Sequence, residues 1–394
     1  MKSKILFCLA TAFAILQSLT AQGQLPVIRA ASDQVDIREG KEFYPGQWTI
    51  VPDARPDVYT TSVVGENVTF YTDKDSISFR IEKDGVYDFV ILLNGKDSAY
   101  TQIKHVPSYL DILQGASAYN YEDHTAIPEF YYQDSSAAEL RTLRKALNLD
   151  SIAGQGTEIL KIINLMHWIH DLIPHDGNHD NPIVKNAMSM IRECKAGDRG
   201  LNCRGLATVL NECYLALGIK SRFVTCMPKD SVFNDCHVIN MVYSTELNKW
   251  IWMDPTNDAY VMDENGVLLG LEEVRERLIN GKTLILNPDA NWNNRATTTR
   301  EYYLLEYMAK NLYRLECPMR SEYDFETRLD GRKYEYVELL PLDGYRQTPK
   351  ISERSYQNPA VSFTTYKTNN PDQFWVLPGE KSRKRTSGSK GDSK

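Results

Sequence analysis

The chain has 394 residues, of which 42% are hydrophobic, 25% charged and 10% aromatic. This composition is typical of globular domains and the length allows two or three of them, which excludes a wholly disordered chain, a collagen and a coiled coil. The formal net charge of −7 disfavours nucleic acid, or an anionic lipid surface, as a partner chosen by charge alone.

Residues 1–23 have the pattern of a secretory signal peptide. Lys2 and Lys4 precede an apolar run over residues 5–16, and the small residues Ala21 and Gly23 follow at the spacing of a cleavage site. The apolar run is shorter than the roughly 20 residues of a membrane-spanning helix, and we expect no transmembrane segment in the rest of the chain. The sequence therefore predicts an exported protein that is periplasmic, secreted or at the cell surface.

Residues 24–130 predict an N-terminal all-β domain. Short runs of alternating or β-branched and aromatic residues are separated by Asp, Gly, Asn or Pro. These runs are GQWTIV, DVYTTSV, NVTFYT, SISFRIE and YDFVILL. We expect this domain to be a structural or substrate-presenting module.

Residues 131–316 predict helices followed by strands. Helical spacing of apolar residues covers residues 137–147, 157–172, 182–194 and 203–217, and later 271–279 and 300–315. Strand patterns lie between them in SRFVTC, HVINMVYS and KWIWMD. This order predicts an α+β fold and not a doubly wound parallel sheet.

Residues 317–394 predict a C-terminal extension. The sequence is polar and interrupted by prolines after Pro341, and from Lys381 it continues as the basic segment SRKRTSGSKGDSK. We expect this tail to be disordered.

The segment GLNCRGLATVLNECYLALGIKSRFV contains the most informative cysteine, Cys203. Asn202 predicts the N-cap of a helix and Gly218 its end, which places Cys203 in the first helical turn. The unpaired N–H groups and the helix dipole there stabilise a thiolate, and the same N–H groups can donate to an oxyanion on an attacked carbonyl. The alternative is a buried, unreactive thiol, which we expect for most of the other cysteines.

His237 is the histidine best placed to serve such a thiolate. It lies in HVINMVYS, a strand whose alternate residues share a face, and a polar turn leads to KWIWMD, which ends at Asp254. If Tyr243 pairs with Asn248 around the turn, His237 stands directly opposite Asp254 on one face. A carboxylate there can accept a ring N–H and stabilise the imidazolium. Taken singly, His237 is compatible with an ordinary strand histidine, and Asp254 with the start of an Asp-Pro turn.

Three blocks in this order resemble the transglutaminase-like core, a branch of the papain-like cysteine hydrolase fold. They are the helix that Cys203 opens and that ends in ALGIKSRFV, then HVINMVYS, then KWIWMDPTN. The resemblance covers about residues 157–266, and it extends to exported proteins of Bacteroidetes-type bacteria. It implies Cys203 as nucleophile, His237 as general base and acid, and Asp254 as the orienting residue. Two departures are Val238, where many members carry an aromatic residue, and Gly200, three residues before the cysteine instead of two.

The second donor to an oxyanion is left open. The candidates from the preceding helix and loop are Trp168, His175 and Asn178. The same stretch, MHWIHDLIPHDGNHD, holds four of the seven histidines, which is an alternative pattern for a zinc or other transition-metal site. Because no HExxH or CxxC framework accompanies them, we expect no metal and no cofactor.

The sequence thus predicts thiol-dependent acyl transfer on amide bonds, with a peptide, a protein or another amide-containing substrate as partner. The resemblance favours hydrolysis, as in a peptidase or amidase, over transglutaminase-type transfer to an amine. The alternative is a non-catalytic binding or scaffold protein on the same fold. Nothing in the sequence indicates the oligomeric state.

Overall fold

The computed structural model describes residues 25–116, 118–197, 199–230, 232, 235–342 and 350–379. The predicted signal peptide and the predicted basic tail lie outside the described residues. The chain divides into two compact units between Ser108 and Tyr109.

The first unit is a β sandwich. Its strands are β1 (Val27–Ala30), β2 (Gln34–Glu39), β3 (Glu42–Thr49), β4 (Asp57–Thr61), β5 (Asn67–Tyr71), β6 (Ser76–Arg80), β7 (Val86–Leu93) and β8 (Asp97–His105). They form two four-stranded sheets, ordered β1-β7-β8-β4 and β3-β2-β5-β6. Side chains of both sheets share one core, in which Phe70 and Phe89 lie edge to face with ring centroids 5.3 Å apart. The predicted all-β character of this part of the chain is confirmed.

The second unit mixes helices and strands, which confirms the predicted α+β class. Its helices are α1 (Tyr109–Gln114), α2 (Ala138–Leu147), α3 (Leu149–Ala153), α4 (Glu158–Leu172), α5 (Ala187–Gly197), α6 (Cys203–Ala216), α7 (Leu271–Ile279), a π-helix (Glu301–Met308), α8 (Ala309–Asn311) and α9 (Pro371–Phe374). Its strands are β9 (Tyr131–Tyr132), β10 (Ser221–Met227), β11 (His237–Ser244), β12 (Lys249–Met253), β13 (Val261–Met262), β14 (Ile285–Leu286), β15 (Asn291–Trp292), β16 (Ala296–Thr297), β17 (Arg314–Pro318), β18 (Arg320–Ser321), β19 (Lys333–Leu339), β20 (Ile351–Gln357) and β21 (Ala360–Thr368). No helix among the described residues is both long enough and apolar enough to cross a bilayer.

A seven-stranded sheet, ordered β12-β11-β10-β17-β19-β21-β20, organises the second unit. Its neighbours are antiparallel except β19 and β21, which are parallel. On one face Ile239 and Trp252 pack with the π-helix and α7, and on the other Val242 and Ile251 pack with α4 and α6. Because both faces are covered, β10 and β11 are buried along almost their whole length.

The domain boundaries predicted after residues 130 and 316 differ from those of the structure. Residues 109–130 belong to the second unit, since Leu113 of α1 is buried in its main core. Strand β17 crosses the second predicted boundary, and β19, β21 and β20 continue the same sheet. Residues 317–342 and 350–379 are therefore part of the core unit and not an extension. The strand pattern there is weak because β20 lies exposed at the sheet edge.

Two predicted helices also differ. Helix α5 begins at Ala187 and not at Pro182, because the Asn186 side chain accepts the Ser189 N–H at 2.9 Å and caps the helix there. The helix predicted over residues 300–315 ends at Asn311. The chain then becomes β17, in which the buried Leu315 and Cys317 recur with the period of two of a strand.

Candidate active site

Cys203 is the first residue of helix α6. Asn202 is its N-cap, and the Asn202 side-chain oxygen accepts the Gly205 N–H at 3.1 Å. Gly218 follows the end of the helix with a φ of 80°, so both predicted ends are confirmed. The rest of the helix is buried from Gly205 onward, whereas Cys203 is only partly buried. Its thiol thus lies at the positive end of the helix dipole and can meet a ligand.

Asn181 holds the N-cap in place. Its side-chain nitrogen donates to Asn202 Oδ1 at 2.7 Å, and its Oδ1 accepts the Asn202 backbone N–H at 3.0 Å. A Cβ at position 205 would lie 2.6 Å from Asn181 Oδ1, so the close approach depends on Gly205. These contacts fix the first turn of α6 and, with it, the backbone of Cys203.

His237 is the first residue of strand β11 and is fully buried beside the thiol. Its Nε2 is 2.7 Å from Asp254 Oδ2, and its ring also hydrogen-bonds Cys203. Because Nε2 is occupied by the carboxylate, Nδ1 is the ring nitrogen left for the sulfur. Burial lowers the pKa of His237, but the Asp254 carboxylate raises it. The raising effect is the larger one, so the pKa of His237 lies well above its ordinary value.

Asp254 receives hydrogen bonds on both carboxylate oxygens. Oδ2 accepts from His237, from the Tyr303 hydroxyl at 2.5 Å and from Asn257 Nδ2 at 3.1 Å. Oδ1 accepts the Thr256 backbone N–H at 2.9 Å. Burial would raise the pKa of Asp254, but His237 and these donors keep it below its usual value. The acid is therefore ionised and fully buried, which fits it to hold an imidazolium.

The predicted hairpin register is wrong by two residues. Ser244 pairs with Lys249 and Tyr243 with Trp250, because Asn248 lies inside the turn with a φ of 52°. Continued past Met253, this register places Asp254 across from Ile239 and diagonal to His237. A shift of two leaves every side chain on its predicted face, so His237 and Asp254 still meet.

The π-helix supplies two tyrosines that the sequence did not single out. Tyr303 is fully buried and donates to Asp254, and Tyr307 lies edge to face against the His237 ring with centroids 5.2 Å apart. They are four residues apart and share a helix face. Asn257, in the turn after Asp254, was missed as well, although an Asn three residues after an Asp is the spacing at which a turn brings the two together.

His175, one of the three candidate oxyanion donors, hydrogen-bonds the Cys203 thiol. The Trp292 indole N–H donates to His175 Nδ1 at 3.3 Å, and an indole N–H can only donate. Nδ1 is therefore a hydrogen-bond acceptor, and the ring proton lies on Nε2. The backbone is held by Asn293, whose side chain accepts the His175 N–H at 2.6 Å and donates to its carbonyl at 2.9 Å.

The other two candidates lie elsewhere. Trp168 packs against the helical core formed by α4, α5 and α6. Asn178 is exposed, and its backbone N–H donates to Asp176. Of the three candidates, the structure brings only His175 to the thiol.

The pKa of Cys203 is lowered to about 6. Burial raises it, but the hydrogen bonds from His175 and His237 outweigh the burial. The other cysteines behave differently: the described ones form no disulfide, and Cys194, Cys213, Cys226 and Cys317 are buried with a pKa raised by burial. The expectation that most cysteines are buried small side chains is confirmed.

The four clustered histidines contact separate partners. His167 Nδ1 is 2.6 Å from Asp258, His170 lies between the Pro255 carbonyl and Asn291, and His179 pairs with Asp176. The four-histidine alternative thus has no common centre in the structure. Within the described residues, His167, Asp258 and Asp289 place potential ligand atoms within 4.8 Å of one another. The short His167–Asp258 contact is a hydrogen bond that raises the pKa of His167.

Residues 145–255, which include Cys203, His237 and Asp254, match the family model of the transglutaminase-like superfamily. The chain carries a transglutaminase-like domain. The match spans α3 to α6 and strands β10 to β12, and it includes α6, which carries the thiol, β11, which carries the imidazole, and Asp254 after β12.

The transglutaminase-like domain has similarities among solved structures. A Cytophaga hutchinsonii protein described as a cysteine protease is 21% identical over 36% of this chain and 43% of that chain, with a TM-score of 0.25. LapG of Legionella pneumophila is 12% identical over 32% of this chain and 74% of that chain, with a TM-score of 0.24. Red sea bream transglutaminase is 12% identical over 61% and 50%, with a TM-score of 0.20. The chain thus spans less than half the length of the first of these, and no curated protein matches it.

Proposed function

We propose that this protein is a thiol-dependent acyl-transfer enzyme that acts on amide bonds, with hydrolysis as the favoured outcome. One observation carries the proposal: a partly exposed thiol at the head of a helix hydrogen-bonds an imidazole, and a buried, ionised carboxylate holds that imidazole on its far side. The lowered thiol pKa beside a raised imidazole pKa makes the ion pair of thiolate and imidazolium the resting state at neutral pH.

The reaction proceeds in two halves. The Cys203 thiolate attacks the carbonyl carbon, the carbon–nitrogen bond breaks, and the His237 imidazolium gives its proton to the leaving amine. A thioester remains on Cys203. A water molecule then attacks the thioester, His237 takes its proton, and the carboxylic acid and the thiolate are released. Asp254 keeps the imidazole in the orientation that both steps need.

The oxyanion formed in each half is stabilised by two donors. One is the backbone N–H of Cys203, which has no acceptor within its own helix. The other is His175, whose Nε2 proton is fixed by the Trp292 hydrogen bond to Nδ1. In the free enzyme this N–H donates to the sulfur. On attack it turns to the oxygen that gains charge.

The substrates are peptides, proteins or other compounds with an amide carbonyl, and the protein acts after export. The transglutaminase-like domain supports the first statement, and the signal-peptide pattern of residues 1–23 supports the second. A non-catalytic scaffold on the same fold is the competing function. It requires an unreactive Cys203.

An activated ester tests the proposal without a known substrate. With 4-nitrophenyl acetate we expect rapid release of nitrophenolate and an acetyl group on Cys203, found by peptide mass spectrometry. Cys203→Ala should abolish acylation, and His237→Ala should slow it by about 100-fold or more. Release of acetate in water, against formation of an N-alkyl acetamide when an alkylamine is added, separates hydrolysis from transfer. If the wild-type protein releases nitrophenolate no faster than Cys203→Ala does, the enzymatic proposal fails and the non-catalytic scaffold remains.

His175 is tested by comparing two reactions of the same thiol. Acylation by the ester develops an oxyanion, whereas alkylation by iodoacetamide does not. His175→Ala should slow acylation by about 100-fold, far more than alkylation at a pH where the thiol is ionised. His175→Gln, which keeps a side-chain N–H, should recover much of the acylation rate. His179→Ala, in the same loop, is the control, and an equal loss of both reactions in His175→Ala would limit this residue to thiolate stabilisation.

A further inference from the structure

A cavity of about 260 Å³ lies beside the first turn of α6. Its floor is a row of side chains across three strands: Tyr334 of β19 pairs with Phe363 of β21, which pairs with Arg354 of β20. Tyr336 lies two residues along β19 on the same face. Cys203 and Phe363 both pack against the buried cluster that contains Tyr334 and Tyr336. Arg204, the residue that follows the nucleophile in the chain, lines the cavity.

The charges around the cavity are unbalanced. The basic side chains are Lys185, Arg204, Arg328 and Arg354, and the acidic ones are Glu316 and Glu326. Glu326 is already engaged, since it pairs with Arg204 at 3.4 Å and accepts from the Tyr336 hydroxyl at 3.2 Å. Burial raises the pKa of Glu316 to about 7, so this carboxyl is only partly charged at neutral pH.

Three of the cations form no ion pair within 4 Å among the described residues, although the charge of Arg354 acts on Glu316 at longer range. They are Lys185, Arg328 and Arg354. Arg328 lies over the Tyr356 and Phe363 rings, at 5.4 and 5.5 Å from their centroids, which orients its guanidinium without neutralising it. Arg354 and Arg328 thus converge on Phe363 from the edge strand and from the loop before β19. Such a group of unpaired basic side chains around an aromatic floor attracts a carboxylate.

We propose that this cavity is the subsite for a carboxylate of the substrate, which places an acidic residue next to the amide that Cys203 attacks. The inference rests on the proposed function and adds the substrate class to it. The carboxylate has two sources in a peptide: the side chain of Asp or Glu, or the C-terminal carboxyl group. Both present the same planar anion to Arg328 and Arg354.

Three matched alkylating probes test the proposal and separate the two sources. N-iodoacetyl-glutamic acid α-amide carries a side-chain carboxylate, N-iodoacetyl-glutamine carries an α-carboxylate, and N-iodoacetyl-glutamine α-amide is neutral and almost the same size. We expect one or both charged probes to label Cys203 about fivefold faster than the neutral probe at low salt. The advantage should shrink as salt is added, because the Arg328 and Arg354 side chains are exposed to solvent.

Charge reversal locates the effect. In Arg328→Glu/Arg354→Glu the preference for a carboxylate should vanish or invert. The preference is measured within each variant, as the ratio of the charged-probe rate to the neutral-probe rate, so a general change in the reactivity of Cys203 cancels. The control is Arg141→Glu/Lys145→Glu, which makes the same charge change on exposed residues of α2 and should keep the preference. Equal rates for all probes in the wild type, or a preference that survives the reversal, would overturn the subsite.

The two proposals fail in different ways. If 4-nitrophenyl acetate acylates Cys203 but the three alkylating probes react at equal rates, only the subsite is overturned. If the ester and all the probes leave Cys203 unreactive, the proposed function falls and the subsite falls with it.

Discussion

At the scale of single residues, Cys203 and Cys236 show how position decides reactivity. Both are partly buried, so access alone does not separate them. Hydrogen bonds from two histidines lower the pKa of Cys203 to about 6 against the effect of burial, whereas burial, and then the charge of Cys203, raise the pKa of Cys236 to about 11. The thiolate of Cys203 therefore persists as the pH falls to about 6 and is lost below it. That of Cys236 forms only in strong alkali.

The alkylation rate of each cysteine should follow these pKa values. At pH 7 the thiolate fractions of the two cysteines differ by about 10⁴. The low-pKa thiolate is the weaker nucleophile by about 10²·⁵, so Cys203 should react about 30-fold faster than Cys236. Labelling with iodoacetamide across the pH range, with mass spectrometry of both peptides, measures the two profiles. His237→Ala should move the Cys203 profile to higher pH, and Cys236→Ser should leave it in place. A Cys203 profile that rises only above pH 8, as for an ordinary thiol, contradicts this assignment.

Some of these residues have a local sequence pattern and others do not. The N-cap before Cys203 and the alternation of β11 are properties of neighbouring residues, so the positions of Cys203 and His237 could be predicted. Tyr303 and Trp292 act on partners 49 and 117 residues away, and nothing local separates Tyr303 from the other tyrosines among the 23 in the chain. Only the folded chain brings these pairs together.

At the scale of elements, the segment before α6 and the loop that carries His175 form one small unit. Leu201 donates its N–H to the Pro174 carbonyl at 3.1 Å and accepts the Asp176 N–H at 2.8 Å. A Cβ at position 200 would lie 2.3 Å from the Pro174 oxygen and 2.7 Å from the Asp176 Cβ. Gly200 is thus the residue that lets the two segments touch and brings the His175 ring to the thiol.

Gly200→Ala should push the His175 loop away from α6. We expect unfolding at lower urea concentration, by about 1–3 kcal/mol in the free energy of unfolding, and ester acylation slowed by about tenfold or more. Gly197→Ala is the matched control, since the nearest atom to a Cβ there is 3.8 Å away. Similar stability and acylation in the two variants would show that the contact at Gly200 does not position His175.

Cap residues predicted both ends of α6, but a cap did not suffice to predict the start of α5, and the hairpin register depended on the tertiary structure. The Asn202 cap and Gly218 define α6 from the sequence alone. Helix α5 starts late because its cap is Asn186, the fifth residue of the predicted region, and because the Glu212 carboxylate of α6 accepts the Ala187 N–H at 2.7 Å. The predicted hairpin register was wrong because a polar turn of this composition allows either of two adjacent four-residue loops. Only the pairing along β11 and β12 decides between them.

At the scale of the whole molecule, the C-terminal segment completes the unit that carries the site. Strand β21 pairs along all seven residues of β19, and Phe374 and Trp375 are buried in the main core. The Phe374 carbonyl accepts from the fully buried Arg222 of β10 at 2.7 Å, and the Arg222 guanidinium also lies 4.6 Å from the centroid of the Trp250 ring. A buried cation in the strand next to β11 thus depends on residues some 150 positions later.

A chain that ends at Leu342 should therefore lose its fold around the site. The truncation exposes the long edge of β19, removes two buried aromatic side chains and leaves the Arg222 guanidinium without its carbonyl acceptor, which together cost on the order of 5 kcal/mol or more. Urea unfolding followed by tryptophan fluorescence, with iodoacetamide labelling of Cys203, measures both consequences: a much lower midpoint and a thiol that reacts with an ordinary pH profile. A chain that ends at Gly379 keeps every described strand and should match the full chain in both measurements. Normal stability of the shorter chain would mean that β19 can serve as an edge strand and that Arg222 finds another acceptor.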